Sequence, residues 1–390
     1  MDLPQPDDIS ILHTFQNKAK GKPFLTKNQV LSLLKENYNF EVKSIQSLEG
    51  YDNRNFLVGV TSVHTLELTD TNELTSKYVL KVTNSYLSIA DQGLRDATRL
   101  MEFLSSRGFS CTQPVSNRNG DWCQFLTFEN LSLKSLDDIG ANRKLKDTFM
   151  IRLVTFLPGT TLINFPNLVP DNVFEESGET LAKFHLALQE LDMDKRTLKE
   201  VGENSPWSLN CLPKWRSLLF VVEDLQTRQM IEDVITTFEF TVLSKRGSLP
   251  HGFIHGDFNN GNILVEAREG SNDVHMTGFI DMDDACYSCI VYDVGISLMY
   301  VLQCNTISSD FAAGKFLLGY SRYRRLSQLE KDCLFYCTAG RFVQSLLGGL
   351  YSYSLSKNEY VLCSQQRGWN ALKDIWKRGK EATYHKWSFS

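Results

Sequence analysis

Apolar residues along this chain recur with two periods, and the switches between them mark out its elements. Residues 26–38 place Val30, Leu33 and Leu34 on one face behind Thr26, a natural helix cap, and read as a helix. Residues 40–48 alternate as a strand, residues 49–55 (Glu-Gly-Tyr-Asp-Asn-Arg-Asn) read as a turn, and strand character resumes over 56–66. Residues 77–82 form a further strand with Lys81 as the one cation in its apolar core. The helical period returns over 89–107, where Leu94, Ala97, Met101 and Leu104 share a face and Gly108 ends the run. Strands are expected at 122–128 and 150–157, with a polar surface insertion at 129–148 between them. The second strand runs into Pro158-Gly159. Beyond it helices dominate, at 171–191, 218–243, 292–302 and 331–354, with an aromatic-rich loop at 207–215.

Composition narrows the setting. A chain of 390 residues, 42% hydrophobic and 22% charged, suits one large or two modest globular domains. A net charge of −5 argues against a nucleic-acid surface. The apolar run 291–302 is too short to span a membrane and contains Asp293, so no membrane partner is expected. Residues 1–23 begin with an acidic stretch, lack a signal pattern, and are expected to be mobile. Nine scattered cysteines read as reduced, mostly buried thiols of a cytoplasmic protein. Cys286-x-x-Cys289 lacks a second metal-ligand pair.

The chemistry concentrates in His255-Gly256-Asp257-Phe258-Asn259-Asn260-Gly261-Asn262 and in Ile280-Asp281-Met282-Asp283-Asp284. Residues 263–265 and 277–280 read as two strands of a hairpin whose open end carries Asp257, Asn262 and Asp281. One acid can accept a hydroxyl proton; the amide and the other acid can hold magnesium on nucleotide phosphates. A surface hairpin with capping carboxylates is the bland alternative, and the full constellation at this spacing outweighs it. Lys81, if it faces inward, needs an anion. His185 reads as a core histidine, and Asp293 as a cap or a brace for the backbone of the 255–262 loop. On the last long helix Arg341, Gln344, Ser345, Gly348 and Ser352 form a polar, small-residue stripe. Mid-helix glycine costs about 1 kcal/mol relative to alanine, so Gly348-Gly349 implies close packing or room for a ligand.

The order H-x-D-x-x-x-x-N, then an apolar strand ending in Asp, resembles the catalytic segment of the protein-kinase superfamily. Gly256 and the run Ile280-Asp281-Met282-Asp283-Asp284-Ala285 resemble its aminoglycoside phosphotransferase and choline kinase branch. That resemblance implies an α+β, two-lobed protein-kinase-like fold. Its N-lobe, residues 24–157, would be an antiparallel sheet plus a helix that binds the nucleotide. Its C-lobe, residues 158–390, would be larger, mainly helical, catalytic and acceptor-binding. It further implies Asp257 as catalytic acid–base group with His255 bracing the loop, and Asn262 and Asp281 as Mg²⁺ ligands. Lys81 would contact the phosphates, the turn with Asn53 would lie over them, and Phe156 and Leu157 would form the hinge facing the purine. Arg95 stands where a helix glutamate would pair with Lys81, which leaves Asp96 as the substitute.

Five segments, at 51–56, 78–82, 152–159, around Asp257 and at 341–346, are similar to a branch of that family acting on 5-hydroxy-L-lysine. This implies GTP-dependent phosphorylation of that side-chain hydroxyl in the cytoplasm. Asp283 and Asp284 would meet the ammonium groups, and Arg341, with Gln344 beside it, the carboxylate. Asp283 stands where a glycine is usual. The hinge would read the purine through backbone groups, so GTP and ATP both remain open as donors. Other acceptors also stay open: ethanolamine, homoserine, or choline, for which Trp207, Trp215 and Tyr292 could build an aromatic cage. A nucleotide-binding pseudokinase is the reading from outside enzymology, and the missing glutamate is its support.

Overall fold

The computed structural model describes residues 9–48, 50–61, 75–88, 91–129, 146–165, 172–267, 274–304, 308–357, 359–362 and 365–389. They divide into two compact units, one of Phe15–Glu102 and Thr112–Leu157, the other of Met1–Thr14, Phe103–Cys111 and Pro158–Ser390.

The chain begins with α1 (Ile9–Gly21), α2 (Lys27–Tyr38), β1 (Val42–Leu48), β2 (Arg54–Thr61), β3 (Thr75–Val82), α3 (Ser85–Ser88), α4 (Asp91–Ser106), β4 (Pro114–Val115), β5 (Cys123–Glu129) and β6 (Lys146–Thr155). The strands form one antiparallel sheet in the order β1-β2-β3-β6-β4, with β5 also on β6. Thr26 starts α2 through a reciprocal capping box with Gln29, and Asn39 ends it in the left-handed conformation. Val30, Leu33, Leu34 and Tyr38 share a core with Phe56, Val58, Val60, Leu80, Val82, Phe149, Ile151 and Leu153. Each fully buried aliphatic there stabilises by about 1.5–3 kcal/mol. Strand alternation then puts Lys81, with its cross-strand neighbours Asn55 and Arg152, on the opposite face of the sheet.

Residues 1–23 were expected to be mobile, yet 9–21 form a helix, and residues 1–8 lie outside the described residues. Long-range contacts explain the order. Lys18 Nζ lies 2.7 Å from Asp52, the Asn84 amide donates to the Lys18 carbonyl, and Lys22 donates to the carbonyls of Gly50 and Tyr51. Most of the expected insertion, residues 130–145, also lies outside the described residues.

The rest of the chain holds β7 (Thr160–Thr161), α5 (Val173–Gln189), α6 (Arg196–Asn204), α7 (Leu225–Thr241), β8 (His251–Ile254), β9 (Ile263–Ala267), β10 (Val274–Phe279) and β11 (Cys286–Cys289). After them come α8 (Ile290–Val301), α9 (Ser309–Tyr323), α10 (Gln328–Ser356), α11 (Gln365–Arg378) and α12 (Lys380–Lys386). Strands β9 and β10 pair as the expected hairpin, Ile263 opposite Phe279. The short pair β8–β11 was not expected. The helix expected over 218–243 starts only at Leu225, because Asp224 caps it and 209–221 winds as 3₁₀ turns around Pro213.

Cys286 and Cys289 lie on β11, and the eight described cysteines are all free thiols. Burial pushes Cys289 up to about 12 and Cys286 higher, so neither is a reactive thiolate. Among the described residues no group of three His, Cys, Asp or Glu could hold a metal, and no helix is long and apolar enough to cross a membrane. Close packing accounts for Gly348: a Cβ there would come within 2.7 Å of the Trp207 ring and 3.1 Å of Trp215.

Candidate functional site

Between β8 and β9 the chain makes a polar loop, residues 255–262, that neither strand can absorb. Gly256 turns it with φ +77°, and a side chain there would collide with the Asp284 carbonyl, so only glycine fits. Asp257 comes next, partly exposed and closely held. Its Oδ2 accepts from Asn259 Nδ2 at 2.7 Å and from Asn262 Nδ2 at 3.3 Å; its Oδ1 accepts from Arg341 Nη2 at 2.9 Å. Asn259 Oδ1 in turn accepts the backbone N–H groups of Gly261 and Asn262, an Asx turn that shapes the loop.

Asn262 Nδ2 also donates to the Asp257 carbonyl at 2.9 Å, so the amide turns its own oxygen away from that acid. The Ile280 N–H donates to the Asn262 carbonyl at 2.9 Å, which extends the β9–β10 ladder by a step and sets Asp281 beside Asn262. Asp281 has φ +65°, a conformation that costs a non-glycine residue about 1–3 kcal/mol and persists where the surroundings enforce it. An amide oxygen and a carboxylate at one hairpin end are hard donors that fit a divalent cation such as Mg²⁺.

The loop rests on buried charge. Asp293, on α8, accepts from the backbone N–H of His255 at 2.8 Å and of Gly256 at 3.0 Å, and from His185 Nε2 at 3.0 Å. The side chains of Asp293 and His185 are fully buried. His185 Nδ1 accepts from the Tyr320 hydroxyl, which fixes the tautomer. Burial drives the His185 pKa below its ordinary value despite the pull of Asp293, so the ring stays neutral. Burial works against the Asp293 charge, but the bonds from His185 and His255 outweigh it and hold that pKa low. His255 is buried too: its Nδ1 accepts the Asp257 N–H and its Nε2 donates to the Ile280 carbonyl, tying the two polar segments together. His255 thus braces the loop.

Lys81 is buried on β3. Asp96 accepts from Gln92 and Arg99 of its own helix. Asn53 Oδ1 accepts the Asn84 N–H and pins the turn. The Phe156 N–H donates to the Lys77 carbonyl, and Leu157 beside it is half-buried. Asp283 is half-buried, its N–H directed at Asp281, and Asp284 is exposed. Arg341 and Gln344, expected at an acceptor surface, are buried instead. Gln344 donates to the carbonyls of Pro206 and Ser208, and Arg341 Nη1 to that of Trp207. Trp215 and Tyr292 are fully buried and Arg341 sits over the Trp207 ring, so these aromatics form no open cage for a quaternary amine.

Sequence reasoning missed the role of Asn259, although its place two residues from both Asp257 and Gly261 is an Asx-turn signal. It also missed the His185–Asp293 pair, whose members stand 108 residues apart and carry no local signal.

A family model described as "Phosphotransferase enzyme family" matches residues 44–326. A hydroxylysine kinase of Xenopus laevis is 30% identical over 94% of this chain and 94% of its own length. That of Mus musculus is 28% identical over 96% and 95%. Among solved structures, an amicoumacin kinase in complex with AMP-PNP and Ca²⁺ shares the fold, with a TM-score of 0.60 at 17% identity over 90% of this chain and 94% of that one.

Proposed function

Because this chain belongs to the phosphotransferase enzyme family, whose model spans residues 44–326, we propose that it transfers the terminal phosphate of GTP to the side-chain hydroxyl of 5-hydroxy-L-lysine. The family and the protein-kinase-like fold set the reaction class: a small-molecule kinase with an alcohol acceptor, a nucleotide donor and a divalent cation. The observation that carries the reading is the hairpin end, where Asn262 bonds to Asp257 and pairs through its carbonyl with Ile280, the residue before Asp281. The acceptor is supported by the relatives named hydroxylysine kinase, which match this chain nearly end to end.

In this reading Asp257 orients the acceptor hydroxyl and takes its proton. The acceptor oxygen bonds to the terminal phosphorus as the bond to the departing nucleoside diphosphate breaks. Asn262 Oδ1 and the Asp281 carboxylate would hold Mg²⁺, which supplies charge neutralisation at phosphate oxygens when bound. Lys81 is assigned to the nucleotide phosphates, the turn at Asn53 to their cover, and Phe156 and Leu157 to the purine edge. Asp283 and Asp284 supply negative charge for an acceptor with two ammonium groups. The free thiols support a reducing compartment, the cytoplasm.

The test is initial-rate phosphoryl transfer with Mg²⁺, crossing GTP and ATP against hydroxylysine, lysine, ethanolamine, choline and homoserine, with Asp257→Asn as the blank. Turnover of hydroxylysine with GTP, and none of lysine, is the expected result. Turnover confined to another alcohol overturns the acceptor and leaves the reaction class. Nucleotide binding without transfer to any acceptor replaces the enzyme with a pseudokinase.

A further inference from the structure

We infer that Arg341 is a positioning residue that clamps Asp257, rather than the receptor for the acceptor's carboxylate. The inference rests on the proposed role of Asp257 and deepens it. Arg341 projects from α10 with 3% of its side chain exposed, and its Nη2 donates to Asp257 Oδ1 at 2.9 Å. Its Nη1 donates to the Trp207 carbonyl at 3.0 Å. The guanidinium lies over the rings of Trp207 and Tyr300, with centroids at 5.2 and 5.9 Å. Gln344, three residues along α10, fastens the same 206–208 segment through two carbonyls.

A carboxylate receptor presents the open edge of its fork to solvent. Here Nη1 and Nη2 each bond to the protein, and the Trp207 and Tyr300 rings lie against the guanidinium. The fork is committed to Asp257 and to the 206–208 segment. The consequence for Asp257 is geometric. Arg341 fixes Oδ1 while Asn259 and Asn262 fix Oδ2, so the carboxylate cannot rotate. An ionised carboxylate has about four acceptor sites, which leaves one for the acceptor hydroxyl in a set direction. Such orientation acts on the chemical step and leaves ground-state binding nearly unchanged.

The experiment compares wild type, Arg341→Gln, Asp257→Asn and the double variant, with two acceptors. One is hydroxylysine; the other is the amino-alcohol diamine left when its carboxylate is removed. Arg341→Gln is expected to lower kcat by about 10²-fold, the scale of a misplaced reacting group, with KM nearly constant and the same loss on both acceptors. Added to Asp257→Asn, it is expected to cost nothing further. A loss confined to KM that vanishes with the decarboxylated acceptor overturns the inference and makes Arg341 the carboxylate receptor. A loss that adds in full to Asp257→Asn also overturns it. If Arg341→Gln no longer binds nucleotide, Arg341→Lys, which keeps the charge but lacks the fork, is judged by the same criteria. Wild type that ignores hydroxylysine defeats the acceptor reading alone, and the same cycle on background nucleotide hydrolysis still decides the clamp.

Discussion

Replacing Asp293 by asparagine removes one acceptor oxygen and little else, and the geometry sets the size of the loss. In the wild type Oδ1 accepts the Gly256 N–H, while Oδ2 accepts the His255 N–H and the His185 ring. Asparagine has one acceptor oxygen, so either Gly256 or the His255–His185 pair faces an amide NH₂ instead. Full burial keeps bulk solvent from compensating. One or two unmet donors at about 1–3 kcal/mol each give a loss of about 3 kcal/mol. At about 2–4 °C per kcal/mol for a unit of this size, the melting point should fall by about 6–12 °C. The damage is also local, because the two backbone groups released immediately precede Asp257. A drop in kcat of about tenfold or more is expected from the looser loop. Thermal melts and steady-state rates on the same preparation test both halves. An Asp293→Asn protein that melts within about 2 °C of wild type and keeps its kcat would refute the claim that this carboxylate sets the loop.

Three further outcomes rest on single contacts. His185 is neutral in the fold because its pKa lies below the ordinary value, so the unfolded chain takes up its proton first. Stability is therefore complete above about pH 6.5 and declines as pH falls through it, by at most about 1.4 kcal/mol per pH unit for one proton; melts from about pH 7.5 down to about 5.0 should lose part of that slope in His185→Gln. Gly348→Ala gains about 1 kcal/mol of helix propensity but forces the Trp207 ring, 2.7 Å away, to move. Its melting point should change little while kcat falls, and an unchanged kcat would separate Trp207 from the clamp on Asp257. Lys18→Ala removes the ion pair to Asp52 and loosens the turn at 50–55, so it should raise KM for the nucleotide while leaving KM for the acceptor unaltered.

Much of this was legible in the order of residues because it depends on near neighbours. Thr26 and Gln29 form their capping box within one turn, and the strand periods around Leu80 and Ile263 need only alternation. The spacing of Asp257, Asn262 and Asp281 is likewise local, since Asn262 bonds back to Asp257 five residues earlier and one hairpin pairs it with Ile280, next to Asp281. The misses share a different cause. Helix α1 is ordered by Lys18 and Lys22 through partners about thirty residues away, and Asn84 closes the same junction from a third segment. Arg341 looked like a surface cation on a polar stripe, yet its stripe faces the 206–208 segment, which no periodicity on α10 could reveal. The break in the helix expected over 218–243 carried its signals, Pro213 and Asp224, and the longer apolar period outweighed them wrongly.

These long-range contacts converge on one element. At its N-terminus α10 has a capping box between Ser327 and Glu330. Glu330 also takes Arg324 at 2.6 Å, Arg324 donates to the Tyr320 hydroxyl, and that hydroxyl donates to His185. His185 then meets Asp293, which holds the N–H groups of His255 and Gly256. About three turns beyond Glu330 on the same helix, Arg341 reaches Asp257 directly. The loop is thus held at its backbone from one end of α10 and at its carboxylate from the middle of it. Two anchors on one rigid rod fix the angle of Asp257 as well as its position, which a single anchor leaves free. This arrangement explains why a helix of 29 residues keeps glycines at 340 and 348. A Cβ at either position would press on Leu212, Trp207 or Trp215. Any shift of the rod by that amount would be passed to both anchors, and through them to Asp257, the group proposed to take the proton.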